Sequence, residues 1–257
     1  MIYNYHTHTY RCHHATGTEE EYIKRAIENG IKYMGFSDHI PLKFPNGNES
    51  HYRVFECDGK NYCDTVRNLR EKYSDKIEIS IGFEMEYYPK YFDIMLKNAI
   101  EYGGEYLILG QHFDVSEDTY GTHVFIPTDD VDILKRYVKA VVEGINKKIF
   151  TYVAHPDLID FKGDIKIYRE ETRKICVAAR ELNTPLEINL LGIRKNRCYP
   201  NDVFWEIAGE EKSPVTFGFD SHDALAAYDG ESIDKAKELV KKYNLNYIGK
   251  PALIPIK

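Results

Sequence analysis

The chain has 257 residues, with 41 Asp and Glu against 34 Lys and Arg, for a formal net charge of −7 with histidine neutral. That length buries a large core and sits at the upper end for one domain, so residues 1–257 are expected to form a single domain. The acidic balance argues against nucleic acid as a partner, because duplex binding needs a basic surface, and no apolar run approaches the length of a membrane span.

The N-terminus lacks the charged and apolar regions of a signal peptide. The five cysteines (Cys12, Cys57, Cys63, Cys176 and Cys198) are odd in number and lack paired zinc spacing. Free thiols in a reducing cytosol are therefore expected, and the location is read as cytoplasmic. The oligomeric state is not legible.

In chain order, a short aromatic run leads into His6-Thr-His8 and then His13-His14. On an extended chain His6 and His8 point to the same side, and the loop beyond returns His13 or His14 toward them. Thr18 with Glu21 forms a capping box and predicts a helix over 19–29, closed by Gly30. A strand over 31–36 runs into Ser37-Asp38-His39. Next come a helix over 57–73, a strand over 77–81 running into Gly82-Phe-Glu84-Met-Glu86, and a helix over 91–102. A strand over 106–109 runs into Gly110-Gln-His112. The second half repeats the rhythm: helix 131–148, strand 150–154 ending at His155-Pro156-Asp157, helix 165–182, strand 185–189, helix 203–209, strand 214–219 running into Asp220-Ser-His222, and helix 233–243.

These are about seven β-then-α units, with strands apolar on both faces as parallel sheets require. His6, His8, His39, Glu84, His112, His155, Asp220 and His222 all follow strand ends, and nearly every strand contributes. A closed barrel gathers all its strand ends at one mouth, whereas an open sheet uses mainly those at its switch point. The expected fold class is therefore α/β, a (β/α)7 TIM-like barrel of about seven units with a metal site at the C-terminal mouth of the strands. Of ten histidines, His13, His51 and His123 are left outside that mouth. Seven imidazoles with Glu84 and Asp220 are too many ligands for one tetrahedral ion and suit two or three, a carboxylate bridging a pair about 4 Å apart. Glu84 and Glu86 point the same way from a strand, so both are open as the bridge.

His6-x-His8, Ser37-Asp38-His39, Gly82-Phe-Glu84, Gly110-Gln-His112-Phe, Ala154-His155-Pro156-Asp157-Leu158 and Asp220-Ser-His222 resemble, in order and spacing, the polymerase and histidinol phosphatase (PHP) superfamily. Glu187-Ile-Asn189-Leu-Leu-Gly-Ile-Arg194-Lys195 with Tyr199-Pro200 is similar to its monofunctional histidinol-phosphate phosphatases. The resemblance implies a distorted seven-stranded barrel with three divalent ions. His6, His8, Glu84 and Asp220 would hold one ion. Glu84 would bridge to a second ion on His112 and His155, and His14, His39 and His222 would hold the third. It also selects His14 over His13 and Glu84 over Glu86.

Ion identity (zinc, manganese or iron) is left to availability. Three divalent ions with two carboxylates leave about +4, an anion-seeking pocket suited to a phosphate monoester, with metal-activated water as nucleophile. Asp220 or His222 would protonate the leaving alcohol. Arg194, Lys195 and Arg197 follow the strand 185–189 and are candidates to clamp phosphate. Arg53, in the irregular segment 41–56, is read as part of a lid reaching the substrate. Tyr87, Tyr88 and Tyr199 are candidates to flank an imidazole, and Asp114, Asp157 and Asp160 to hold an ammonium group. The resemblance implies hydrolysis of L-histidinol phosphate in histidine biosynthesis. The alternatives are another PHP phosphoesterase, such as a phosphotyrosine phosphatase, or an inactive metal-binding regulatory barrel.

Overall fold

The computed structural model describes residues 1–257. Eight parallel strands run in sequential order: β1 (Tyr3–Asn4), β2 (Tyr33–His39), β3 (Glu78–Met85), β4 (Tyr106–Leu109), β5 (Phe150–Val153), β6 (Leu186–Asn189), β7 (Pro214–Gly218) and β8 (Asn246–Tyr247). The helices α1 (Glu19–Glu28), α2 (Gly59–Lys72), α3 (Phe92–Tyr102), α4 (Val131–Asn146) and α5 (Ile165–Leu182) return the chain between strands. After β6 come the short α6 (Leu190–Arg194) and then α7 (Asp202–Glu211), and α8 (Gly230–Lys242) precedes β8. No helix is long and apolar enough to cross a membrane.

At the mouth the sheet closes on itself beyond β1 and β7. Thr7 bridges Ser221, His8 N–H donates to Ser221 O (2.9 Å), and Ser221 N–H donates to His6 O (3.3 Å). At the opposite end β8 pairs with β7 through Pro214↔Asn246 and Val215↔Tyr247, and the Tyr247 hydroxyl lies 3.1 Å from that of Tyr3 on β1. The ring thus has seven members at its mouth, with an eighth strand wedged into the seam at its base. The sequence expectation of seven units missed β8, which is two exposed residues with no apolar run to mark it. β2 also runs three residues further than expected, so Ser37, Asp38 and His39 belong to the strand itself.

A cluster of 56 buried residues fills the space between sheet and helices. The barrel interior is separate and mainly aromatic: Tyr3, Tyr5, Tyr106 and Tyr152 with Ile108 and Ala154. The Tyr106 ring crosses the interior to reach the carbonyls of Tyr5 (2.9 Å) and Phe36 (3.2 Å). Its path exists because β2 and β3 present Gly35 and Gly82 there; a Cβ on either would stand 2.1 or 2.4 Å from the ring or its hydroxyl. This plug fills the lower barrel, and the polar residues collect above it.

Candidate metal centre

The parallel register sets His39 beside Glu84 and Asn189 beside Gly218, so each strand delivers its polar residue to one rim. Glu84 stands at the centre, fully buried. Its Oε2 is 3.2 Å from Nε2 of both His6 and His8, and 3.5 Å from His39 Nδ1. Its Oε1 faces the other way, 2.9 Å from His155 Nε2 and 3.4 Å from His112 Nε2. Asp220 Oδ1 lies 3.5, 3.3 and 3.2 Å from His6 Nε2, His8 Nε2 and His222 Nδ1. His14 Nε2 is 3.0 Å from His222 Nε2. The structure therefore brings together all nine residues read from the sequence as ligands. It also separates the two carboxylates left open there: Glu84 is central, and Glu86 stands behind His112.

A second ring of groups fixes the tautomers. His6 Nδ1 is 2.8 Å from Glu187 Oε1, His112 Nδ1 is 2.9 Å from Glu86 Oε1, and His14 Nδ1 is 2.7 Å from the Cys12 carbonyl. A carboxylate or carbonyl accepts, so each of these Nδ1 atoms carries the proton and each Nε2 turns a lone pair inward. Those of His6 and His112 meet the oxygens of Glu84 and Asp220, and that of His14 meets His222 Nε2, so acceptor faces acceptor around the carboxylates of a dry site. Glu84 Oε1, Asp220 Oδ1, His8 Nδ1 and His155 Nδ1 have no hydrogen-bond partner. Cations satisfy such a donor-poor arrangement, and the residues fit divalent ions. The sets His6/His8/Glu84, His39/Glu84/His112 and His14/His39/His222 each place their ligand atoms within 4.8 Å of one another. Without a cation, a proton must serve. Burial disfavours charge on His6, yet Glu187, Asp220 and Glu84 together raise it to about 10. Burial, with His222 and His8 beside it, pushes His14 down to about 4.

Two of these residues sit in left-handed backbone, His155 at φ 30° and Asp220 at φ 48°. Non-glycine residues occupy that region at a cost of about 1–3 kcal/mol, which the surrounding structure must offset. Asn189 helps, its Nδ2 donating to Asp220 Oδ2 (3.0 Å) and Glu187 Oε2 (2.9 Å), while Glu187 Oε2 accepts the His155 N–H (3.1 Å).

Above the centre opens a cavity of about 660 Å³. Its walls include Lys195, Arg197, Phe113, Phe125, Tyr199 and Tyr52. Two arginines expected at the substrate are elsewhere. Arg194 lies on α6, which turns it away to Asp229 (3.5 Å) and the Phe219 carbonyl (3.3 Å). Arg53 is 2% exposed and paired with Glu86 (2.7 Å) and Glu117 (3.1 Å), so the 41–56 segment is a packed loop rather than a lid with a free arginine. Tyr87 and Tyr88 are buried outside the cavity lining, which keeps Tyr199 alone of the three expected tyrosines.

None of the expected ammonium partners lines the cavity: Asp114 pairs with Arg136 (2.7 Å), Asp160 with Lys162 (2.6 Å), and Asp157 accepts from Trp205 Nε1 (2.8 Å). Asp223 does line it. His13 packs against Phe55 away from the centre, with ring centroids 4.1 Å apart. His123, read as outside the mouth, is a wall residue. Its Nδ1 accepts the Phe125 N–H (3.2 Å), so the neutral ring carries its proton on Nε2, and burial holds it down at about 4. Sequence reasoning left Glu187 and Asn189 without structural roles, although a carboxylate and an amide alternate with apolar residues on β6 and so face the barrel axis.

A family model described as the PHP domain matches residues 4–190. A protein named probable histidinol-phosphatase from Deinococcus radiodurans is 25% identical over 225 residues, covering 84% of this chain and 85% of that one. The histidinol-phosphatase of Lactococcus lactis is 23% identical over 255 residues, covering 93% and 90%. A crystal structure of a histidinol phosphate phosphatase from Lactococcus lactis, complexed with zinc, L-histidinol and phosphate, superposes with a TM-score of 0.71 at 19% identity, over 96% of this chain and 95% of that one.

Proposed function

Because the chain belongs to the PHP domain family, we propose that it is a metal-dependent phosphomonoesterase, hydrolysing L-histidinol phosphate to L-histidinol and phosphate in histidine biosynthesis. One observation carries this reading: inward-facing lone pairs converge on both oxygens of Glu84, directly beneath a cavity edged by Lys195 and Arg197. The names and bound molecules of the similar proteins support the substrate. His6, His8, Glu84 and Asp220 would hold one ion, Glu84, His112 and His155 a second, and His14, His39 and His222 a third. Such ions supply positive charge for phosphate oxygens and lower the pKa of water toward neutrality.

The chain's own groups do the rest. Lys195 and Arg197 neutralise the incoming dianion and orient it over Glu84. Asn189 holds Asp220 Oδ2 and leaves Oδ1 for the ion, with His222 Nδ1 at 3.2 Å. As ligands neither Asp220 nor His222 carries a free proton, so the proton expected from them for the leaving alkoxide is supplied by water in the open cavity. Phe113, Phe125 and Tyr199 offer flat apolar faces to an imidazole, and His123 Nε2–H a neutral donor. Asp223 is the wall carboxylate outside the cluster and its pairing with Arg53, and is the partner we assign to the substrate ammonium. Five free cysteines fit a cytoplasmic enzyme.

The test is a panel of phosphate monoesters assayed with and without chelator, together with Glu84→Gln. L-histidinol phosphate is expected to be preferred. Activity should vanish on metal removal and fall by about 10³-fold in the variant, as loss of several kcal/mol of charge stabilisation dictates. Equal rates on all esters, or activity that survives chelation, would defeat the reading. The aromatic wall of Tyr52, Phe113 and Phe125 favours one other reading, an aryl phosphatase, and preference for a phosphotyrosyl peptide in the same panel would establish it.

A further inference from the structure

Arg53 does not reach the cavity, yet its surroundings are unusual for a structural arginine. It lies in the loop of residues 41–56, which contributes Tyr52 to the cavity wall. That loop is packed down through buried Leu42, Phe44 and Val54, and the Val54 N–H donates to the carbonyl of His39. From there the guanidinium spans two carboxylates on separate elements. Nη1 donates to Glu86 Oε2 (2.7 Å), and Nη2 reaches both oxygens of Glu117 (3.1 and 3.4 Å).

Glu86 continues the chain of β3, and its other oxygen is the one that holds His112 Nδ1 at 2.9 Å. Glu117 opens a single turn of 3₁₀ helix (Glu117–Thr119) in the opposite wall. That wall is a hairpin-like loop held by the Phe113↔His123 bridge and by Val124 N–H to His112 O, and it carries Phe113, His123 and Phe125. A planar fork with several fixed donors is suited to joining two carboxylates at once, and an ammonium is not.

We propose that Arg53 is a positioning residue that couples the metal site at His112 to the closure of both cavity walls. One cation sets the Glu86 carboxylate that orients the His112 ring, and the same cation holds the 41–56 loop against the 113–126 loop. Loosening either wall loosens Arg53, then Glu86, then His112. The two carboxylates flank a single buried guanidinium, so a carboxylate that swings away leaves one end of it without a partner and frees the side chain to shift. Ligand orientation by an outer carboxylate is common. In this chain that carboxylate is itself held by a segment that walls the cavity. The proposal rests on the reading of His112 as a metal ligand.

The experiment is zinc retention against a graded chelator series, read as equivalents per chain, on the full-length protein and the variants Arg53→Met, Arg53→Lys and Glu117→Gln, with amide hydrogen exchange on the same samples. Arg53→Met should weaken one zinc equivalent by about 10–100-fold, the range for loss of an outer-shell partner, and leave the others in place. Arg53→Lys should recover part of that loss. Glu117→Gln leaves the Arg53–Glu86–His112 chain intact, so it should weaken the same equivalent by a smaller factor while speeding exchange in both loops. Wild-type retention in Arg53→Met overturns the proposal. If Arg53→Met exchanges rapidly throughout, Glu117→Gln decides alone, and unchanged retention with loosened loops overturns it. A wild-type protein that retains no zinc in any form would instead sink the metal reading of the site, a distinct failure visible before any variant is made.

Discussion

Gly218 is the last residue of β7 and packs where no side chain fits. A Cβ there would stand 1.8 Å from Glu187 Oε1 and 3.1 Å from His6 Cβ. Comfortable non-bonded separation is about 3.5 Å, so in Gly218→Ala the carboxylate oxygen must retreat by roughly 1.7 Å. That oxygen holds His6 Nδ1 at 2.8 Å, and a retreat of that size takes it out of hydrogen-bond reach. The backbone is buried in the sheet and cannot yield instead. His6 then loses the partner that fixes its tautomer, for which the expected cost is about 10–100-fold in zinc affinity and in kcat/KM, or about 1.4–2.7 kcal/mol. Overpacking should add about 1–3 kcal/mol of destabilisation, visible as a lower Tm. The assay is chelator competition and steady-state kinetics on Gly218→Ala, Glu187→Ala and the double variant. Because the methyl acts through Glu187, the single losses must not add: in the Glu187→Ala background the alanine at 218 meets no carboxylate and should cost little more. Wild-type zinc affinity in Gly218→Ala, or full additivity in the double variant, would refute this reasoning.

Other perturbations sort neighbouring residues. His14→Ala should cost one equivalent of bound metal by elemental analysis and most of the activity, whereas His13→Ala, whose ring rests on Phe55, should cost neither. Arg197→Ala removes a charged donor at the cavity and should lower kcat/KM by about 10–100-fold with unchanged metal content, as a charged hydrogen bond of about 1.5–3 kcal/mol implies. Arg194→Ala should leave KM alone and lower stability by about 1 kcal/mol, because its contacts are Asp229 and the Phe219 carbonyl. The metal-free protein should respond to pH through His6. Its folded value of about 10 exceeds the unfolded value of about 6.5, so its stabilisation is complete below about pH 6.5 and is lost as pH rises toward 10. Tm of the metal-free protein should fall across that window, while zinc affinity climbs as the competing proton leaves. Melts and chelator competition at several pH values check both trends, and a pH-independent affinity contradicts the proton's role.

The histidine at each strand end was legible because a parallel barrel converts sequence position directly into place: whatever follows a strand meets the mouth. The seven-unit rhythm followed from the same alternation of strand and helix. What escaped depended on groups far apart in sequence or on short local turns. Arg53 reads as a free loop arginine until Glu86 and Glu117, 33 and 64 positions away, are seen on either side of it. Arg194 differs from Arg197 only because the five residues of α6 wind one off the cavity and leave the other facing it. His123 enters the wall through a hairpin register that no composition signals. β8 escaped because two exposed residues carry no periodicity at all.

The seam at the mouth also sets an order of events in the protein's formation. Residues 6–8 and residue 221 close the ring, and Asp220, one residue from that closure, shares its oxygen with His6 and His8. A chain emerging from the ribosome produces six of its seven imidazoles long before the last carboxylate, yet their shared floor exists only once β7 has docked. Contacts spanning more than 200 positions form late, after the loop-closure entropy has been overcome by the rest of the barrel. A metal ion that binds the finished floor therefore acts as a latch on the two ends of the molecule, adding its binding free energy to the step that completes the ring. Metal starvation should accordingly reach further than catalysis, leaving a population of chains whose first and last strands open while the middle of the barrel stays folded.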